Sequence, residues 1–313
     1  MTNLRIVFLG TSGAMPSQRR SLPSIALRYG ASLLLFDCGE GTQRQMVSAG
    51  VGFKEDFQVF ISHLHGDHIL GLPGLFYSMS MLGREEKVRV HGPPGLARSL
   101  DLMLESCQGA VSFPIEVHEV RGGETACDRG RYSVKTAWAD HLVETLAYCF
   151  EEKPRQGRML VHKLKEIGVP RGPLWGELQR GRNVNIQGRV IDPREVTGPR
   201  RLGRKIVYSG DTRPCKDVVR LAAAADVLIH DSSFDQSLTD RAGLEGHSTC
   251  VQAAQVAKEA NVGRLFLFHL SPRYHDDITL LLDPARTIFP ASEVPEDLAS
   301  LEIPTREAPV LET

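Results

Sequence analysis

Residues 63–68 read His-Leu-His-Gly-Asp-His and follow the apolar run FQVFIS without a break. Three imidazoles and a carboxylate within six residues are costly to crowd together unless a cation is shared between them. Imidazole and carboxylate are ligand types that suit zinc, and more broadly iron and manganese. A lone His-x-His is weak evidence, because surface histidines often fall two apart; H-x-H-x-D-H at the polar end of a strand is strong. Gly66 is expected to turn the backbone so that the residues on either side point at different ions. His63, His65, Asp67 and His68 alone do not close two metal sites, so later segments must return to the same place.

Three return points are visible. His141 follows YSVKTAWAD, Asp211 follows KIVYSG and His269 follows RLFLF, each at the polar end of an apolar run. Singly, each has a plainer explanation: a capping aspartate, or a buried histidine bonded to backbone. Together with the first motif the coincidence is hard to sustain. Asp37, after SLLLF, is another carboxylate at a strand end and is expected to hydrogen-bond a ligand histidine from behind. His91, His118, His162, His230 and His275 lack such a context and are given no role.

Apolar runs at 4–10, 24–30, 32–39, 57–63, 89–94, 114–120, 132–141 and 144–152 predict strands punctuated by Gly and Pro. Helices are predicted within 69–83, interrupted early by Pro73, and over 97–107. Beyond residue 204 strands are predicted at 205–212, 227–231 and 264–270, and helices at 217–226 and 248–260. Two mixed runs of this kind predict an α/β chain whose halves pack helix, sheet, sheet, helix.

Between 153 and 204 Gly, Pro and Arg are dense (GVPRGPLWGELQRGRNV) and apolar periodicity is weak, which predicts little buried surface. So long a stretch is a surface arm or a linker, functional or disordered. The chain carries a net charge of −1, but residues 151–205 hold 14 Lys and Arg against 6 Asp and Glu, a local +8 that leaves −9 elsewhere. A basic island on an acidic body fits a polyanionic partner touching one place, or simply a solvated arm. The six cysteines show no C-x-x-C pair and read as reduced thiols of a cytosolic protein. No apolar run reaches 18 residues, so no transmembrane helix is expected, and MTNLRIVFLGTSG reads as a strand rather than a secretory signal.

Six blocks in order, FLGTSGAMPS, LLLFDCGEGTQRQM, SHLHGDHILGLPGL, YSGDTRP, GHSTCVQAAQVAK and HLSPRY, resemble those of ribonuclease Z within the metallo-β-lactamase superfamily, over nearly the whole chain. The resemblance implies an α/β four-layer αββα metallo-β-lactamase sandwich, a single domain over 1–313 with an inserted flexible, basic tRNA-binding arm at 153–204. It implies two zinc ions per subunit, with manganese or iron as substitutes: one held by His63, His65, His141 and Asp211, the other by Asp67, His68, Asp211 and His269, with Asp211 bridging. Asp67 would also accept the proton of the attacking water, although pure ligation accounts for it equally. His247, in Gly-His-Ser-Thr, would hydrogen-bond the scissile phosphate or protonate the leaving 3′ oxygen, while Ser248 or Thr249 caps the next helix.

Gly172 and Pro173 match the family's substrate-binding element in the arm. Arg20 matches a segment near the cleavage point, where the family's Arg-Asn is here Arg20-Ser21. The implied activity is endonucleolytic removal of the 3′ trailer of precursor tRNA, leaving a 3′-hydroxyl on the tRNA and a 5′-phosphate on the trailer, by a cytoplasmic homodimer that touches no membrane. A small-molecule hydrolase of thioesters, lactones or small phosphodiesters would share the metal ligands, but has no reason to keep the +8 arm or Gly-His-Ser-Thr. A nucleic-acid binder with a dead site is opposed by the complete ligand set.

Overall fold

Strand Leu4–Gly10 buries six of its seven residues, and Val227–Asp231 buries all five. Strands without a wet face are covered on both sides, by helices on one and by a second sheet on the other. The computed structural model, which describes residues 2–53, 56–107 and 109–307, has that arrangement.

One seven-stranded sheet runs in the order Ser300–Glu302, Leu4–Gly10, Ser24–Tyr29, Ser32–Phe36, Asp56–Phe60, Val88–Gly92, Ile115–Glu119. Its last four strands are parallel. The other runs Ser292–Glu293, Arg264–Phe268, Val227–Asp231, Lys205–Tyr208, Leu146–Glu152, Tyr132–Trp138, Thr125–Asp128, and its first four are parallel. The sheets meet through aromatic side chains: Phe8 on Phe266 with ring centres 5.0 Å apart, Phe60 on Tyr148 at 5.5 Å and Tyr29 on Phe150 at 5.5 Å. Burying a phenylalanine of this kind contributes roughly 1.5–3 kcal/mol.

Helices Thr42–Ser48, Gly71–Met81 and Leu96–Ser106 cover the outer face of the first sheet, packing Met46, Leu72, Phe76 and Leu100 on Val59 and Val90. Lys216–Ala222, Cys250–Glu259 and Thr279–Ile288 cover the second. Pro73 does not interrupt its helix; it lies in the first turn, where no backbone N–H is needed. The helix Thr279–Ile288 contains Pro284, and that internal proline hid it from the sequence pattern.

A second compact unit comprises residues 130–132, 152–204 and 304–307. It holds short helices Val161–Ile167, Pro173–Gln179 and Pro193–Val196 and a hairpin of Val184–Ile186 with Arg189–Ile191. The expectation that this stretch buries little is corrected here. Leu164, Val169, Leu178, Val184, Ile191 and Val196 form a core of their own. Each short element contributes one or two residues to it, too few to register as periodicity. Glu152 and Arg204, both 2% exposed, form a buried ion pair at 2.7 Å in the same unit.

Candidate metal centre

Parallel strands align their carboxyl ends, and in open α/β sheets the space beyond those ends is where ligands collect. Asp37 follows Ser32–Phe36, His63 follows Asp56–Phe60, Asp211 follows Lys205–Tyr208 and His269 follows Arg264–Phe268; Asp231 ends its own strand. Two of these residues leave the strand in the left-handed region, Asp37 at φ 55° and His269 at φ 60°, as does Ala14 at φ 60° beside them. Non-glycine residues pay about 1–3 kcal/mol for such conformations, which gather where side chains must be aimed. The chain does turn at Gly66, without a positive φ: a short helix, Gly66–Ile69, starts directly after extended His65 and carries Asp67 and His68.

The seven expected ligands converge. His63 Nε2 lies 2.9 Å from His65 Nδ1, which lies 3.4 Å from His141 Nε2, and Asp211 Oδ2 is 3.6 Å from His63 Nε2. On its other side Asp211 Oδ2 is 3.4 Å from His68 Nε2 and 3.3 Å from His269 Nε2. Those two nitrogens are 3.5 and 3.4 Å from Asp67 Oδ2. Tetrahedral ligands at zinc–nitrogen distances of about 2.0–2.1 Å are separated by roughly 3.3–3.4 Å. The donor atoms fall into three overlapping groups, one of His63, His65, His141 and Asp211, one of Asp67, His68 and His269, and one of Asp231, His247, His269 and again Asp211. Its other oxygen, Oδ1, is buried without a hydrogen-bond partner, a cost that a cation would remove. The residues fit divalent metal ions.

The far side of four of the five rings is pinned so that a bare nitrogen faces inward. His68 Nδ1 donates to Asp37 at 2.7 Å, His141 Nδ1 to the Gly246 carbonyl at 2.7 Å, His63 Nδ1 to Ser62 Oγ at 2.9 Å and His269 Nδ1 to Ser233 Oγ at 2.9 Å. Two glycines are required by proximity alone. A Cβ on Gly13 would sit 2.4 Å from His269 Nδ1, and one on Gly246, at φ 81°, 2.6 Å from His141 Nδ1.

Electrostatics point the same way. Burial and the neighbouring imidazoles hold His63 well below its usual range, keeping it neutral. Burial also opposes charge on His68, but Asp211 and Asp37 overcome it and raise its pKa well above normal. Burial would favour neutral Asp211 and Asp67; the surrounding histidines outweigh it and keep both carboxylates ionised. The centre therefore demands positive charge, which a metal supplies better than a proton does.

Beside it stands a residue that the sequence reading missed. Asp231 Oδ2 accepts from His247 Nδ1 at 2.8 Å and from the Thr212 N–H, while Oδ1 takes the Ser233 N–H and hydroxyl. Burial works against a charged His247, yet Asp231 and Asp211 raise its pKa to about 9. The signal was present, an aspartate ending the apolar strand VLIHD, in the same context as Asp37 and Asp211. His247 lines a cleft of about 290 Å³ with Ala14, Phe234 and His269, and Arg241 and Arg273 lie 5.7 and 5.3 Å over the Phe234 ring. Thr249 caps the following helix, in a reciprocal arrangement with Gln252.

Arg20 is not brought to this surface. It is 2% exposed, and its guanidinium donates to Thr11 Oγ1 and the Pro295 carbonyl, both at 2.6 Å, and to Glu296 at 2.7 Å. It fixes the loop that contains Ala14, whose N–H donates to Asp67 Oδ2 at 2.9 Å. Gly172 and Pro173 lie in the second unit, exposed at the start of the helix Pro173–Gln179.

A helix-covered pair of sheets with a histidine–aspartate centre at its strand ends defines a protein of the metallo-β-lactamase fold. Solved structures agree: human tRNase Z, short form, superposes with a TM-score of 0.71 at 26% identity over 96% of this chain and 99% of that one. The metallo-β-lactamase fold protein YhfI of Bacillus subtilis gives 0.68 at 16%, covering 96% and 100%. A family model described as "Anti-Pycsar protein Apyc1" matches residues 4–111. Among sequences, Ribonuclease Z of Methanothermobacter thermautotrophicus is 47% identical across 96% of this chain and 97% of its own. Ribonuclease Z of Myxococcus xanthus is 42% identical across 98% and 100%. The chain belongs to the ribonuclease Z family, the metal-dependent endoribonucleases of this fold.

Proposed function

We propose that the protein removes the 3′ trailer of precursor tRNA by hydrolysis with two zinc ions, leaving a 3′-hydroxyl on the tRNA and a 5′-phosphate on the trailer. The proposal rests above all on a complete seven-residue donor set with the Asp231–His247 pair directly beside it. His63, His65, His141 and Asp211 would hold one ion, and Asp67, His68, Asp211 and His269 the other. When bound, such ions supply Lewis acidity at the phosphate and at the attacking water.

The chain's own groups supply the proton movements. Asp67, kept ionised and oriented by the Ala14 N–H, suits acceptance of the water's proton. His247 has Nδ1 engaged by Asp231, leaving Nε2 for the substrate. With a pKa of about 9 it is protonated at neutral pH and suits donation to the departing 3′ oxygen. Two groups whose surroundings push them to opposite protonation states divide the roles of base and acid. Arg241 and Arg273 border the cleft where a phosphodiester would lie. The local +8 of residues 151–205 favours contact with RNA backbone rather than bases, with Gly172 and Pro173 as the substrate element of that segment. The working form in this proposal is a cytoplasmic homodimer.

End-labelled precursor tRNA tests it. A single cut at the 3′ side of the acceptor stem, abolished by chelator and restored by zinc, is the expected result. Intact RNA alongside hydrolysis of a thioester, a lactone or a small phosphodiester would assign the centre to small molecules instead.

A further inference from the structure

Residues 14–19 form the exposed tip of the loop that runs from the strand Leu4–Gly10 to the strand Ser24–Tyr29. That tip begins with Ala14, whose N–H reaches Asp67 Oδ2. An exposed tip has little packing of its own, so its position is set by whatever holds the two legs of the loop. One side chain holds both. Asp297 Oδ1 accepts the Thr11 hydroxyl at 2.8 Å, and Oδ2 accepts the Ser21 N–H at 2.6 Å. Oδ2 also accepts Gln45 Nε2 at 3.1 Å, and the same nitrogen donates to the Leu9 carbonyl at 2.7 Å, so the helix Thr42–Ser48 braces this point. Between the legs the Ser12 N–H donates to the Ser21 carbonyl at 3.0 Å. Thr11 Oγ1 accepts from Arg20 while it donates to Asp297, which links the two charged groups through one hydroxyl.

Asp297 comes from far along the chain. It lies in the segment 294–299, which crosses from the edge strand Ser292–Glu293 of one sheet to the edge strand Ser300–Glu302 of the other. Its seat is fixed by the next residue: the Leu298 N–H donates to the Phe8 carbonyl at 2.6 Å, and Leu298 has φ 66°. A non-glycine residue in that region is strained, and here the strain falls directly beside the carboxylate that must be aimed, as it does at Asp37 and His269. Burial raises the Asp297 carboxyl above its ordinary range, against the opposing pull of the Ser21 N–H, the Thr11 hydroxyl and Arg20. A carboxylate is costly in such a place unless donors converge on it, and these donors come from both legs of the loop.

We infer that Asp297 is a positioning residue for the endoribonuclease reaction, holding the loop 11–21 so that the Ala14 N–H orients Asp67. The inference rests on Asp67 as the acceptor of the water's proton, as proposed above. Asp297 acts through the loop: without it the legs part, the tip drifts, and Asp67 loses the donor that fixes its free oxygen.

Hydrogen exchange in the metal-free, full-length protein reads the loop directly. In D297A the amides of 11–21, Ala14 included, should exchange about tenfold faster or more, while the strands Lys205–Tyr208 and Val227–Asp231 keep wild-type protection. Activity of the metal-loaded enzyme reads the consequence. The kcat of D297A should fall about 10–100-fold, the scale of a displaced group at the reacting centre, with KM and zinc content near wild type. D297N keeps an acceptor for the Ser21 N–H but turns its amide toward Thr11, and should fall between D297A and wild type. T11V removes the Thr11 contact and leaves the carboxylate; it should move both readouts in the same direction, and it decides the matter if D297A does not fold. Faster exchange throughout the chain with kcat per folded molecule unchanged would make Asp297 a packing residue and overturn the inference. A rise in KM alone, or faster exchange over 11–21 with kcat unchanged, would overturn it too. Both variants are assayed on precursor tRNA and on a small chromogenic phosphodiester. Intact RNA with wild type, alongside a kcat loss for D297A on the phosphodiester, would count against the proposed function and leave the positioning role standing.

Discussion

In the proposed two-zinc centre, replacing Asp37 by asparagine should release one ion without moving a metal ligand. The carboxylate is a hub: Oδ1 accepts the Ser62 N–H at 2.7 Å, and Oδ2 accepts the Ser62 hydroxyl at 2.8 Å, the Tyr208 hydroxyl at 2.6 Å and His68 Nδ1 at 2.7 Å. In Asp37→Asn the amide oxygen must face the Ser62 N–H, which cannot reverse, so the amide NH2 faces the other three groups. Both hydroxyls can rotate to accept. His68 can accept only by moving its proton from Nδ1 to Nε2, and Nε2 is the atom 3.3 Å from His269 Nε2 and 3.4 Å from Asp211 Oδ2. A protonated Nε2 has no lone pair for an ion, so the cluster of Asp67, His68 and His269 loses one donor. Loss of an orienting partner of this kind costs about 10–100-fold in metal affinity, roughly 1.4–2.7 kcal/mol. Competition against a graded series of chelators, read with a zinc indicator, measures it. One ion should leave at a chelator strength about 10–100-fold lower than in wild type, while the other stays. Tyr208→Phe removes one donor to Asp37 but keeps the carboxylate, and should retain both ions. Equal chelator resistance of Asp37→Asn and wild type, with circular dichroism showing both folded, would refute the tautomer argument.

Asp231→Asn should lower kcat by roughly 10²–10⁴-fold while zinc content and KM stay near wild type, because in the proposed mechanism it disables the acid and not a ligand; loss of zinc would make Asp231 a ligand instead. Deleting 156–200 is sterically simple, since Arg155 and Arg201 already pair, so a short turn closes the gap. Cleavage of precursor tRNA should collapse while a small chromogenic phosphodiester is still hydrolysed, and equal loss on both substrates would make the segment structural. His91 predicts acid sensitivity. It is buried between the Phe60 and His118 rings with neither nitrogen hydrogen-bonded, and burial holds its pKa at about 3, below its ordinary 6.5. The unfolded chain takes up the proton first, so this stability is intact above pH 6.5 and is lost as pH falls toward 3. At 1.36 kcal/mol per unit, about 2.7 kcal/mol is gone by pH 4.5. Urea unfolding of the metal-free protein should show the difference between His91→Phe and wild type growing by about that amount from pH 7 to 4.5; a difference independent of pH would refute it.

Much of this centre was legible along the chain because a metal ligand set is a chemical demand on residue type, and strand ends are marked by where an apolar run meets a polar residue. His63 through His68, His141, Asp211 and His269 all stood in that context. So did Asp231, whose role depends on a partner 16 residues away that only packing supplies. Arg20 shows the converse. An arginine in a polar loop reads as a substrate contact, and only the approach of 295–296 turned it inward. The core of 152–204 escaped notice because its apolar residues are spread one or two per element, beneath any detectable period. Periodicity, Gly and Pro punctuation and ligand chemistry are local properties, so the chain alone determined the α/β class, most of the longer strands and the candidate metal-binding side chains. Which nitrogen faces inward, which carboxylate stays charged, and why Arg20 turns away from the surface depend on distances between segments far apart in sequence, and those the tertiary structure decided.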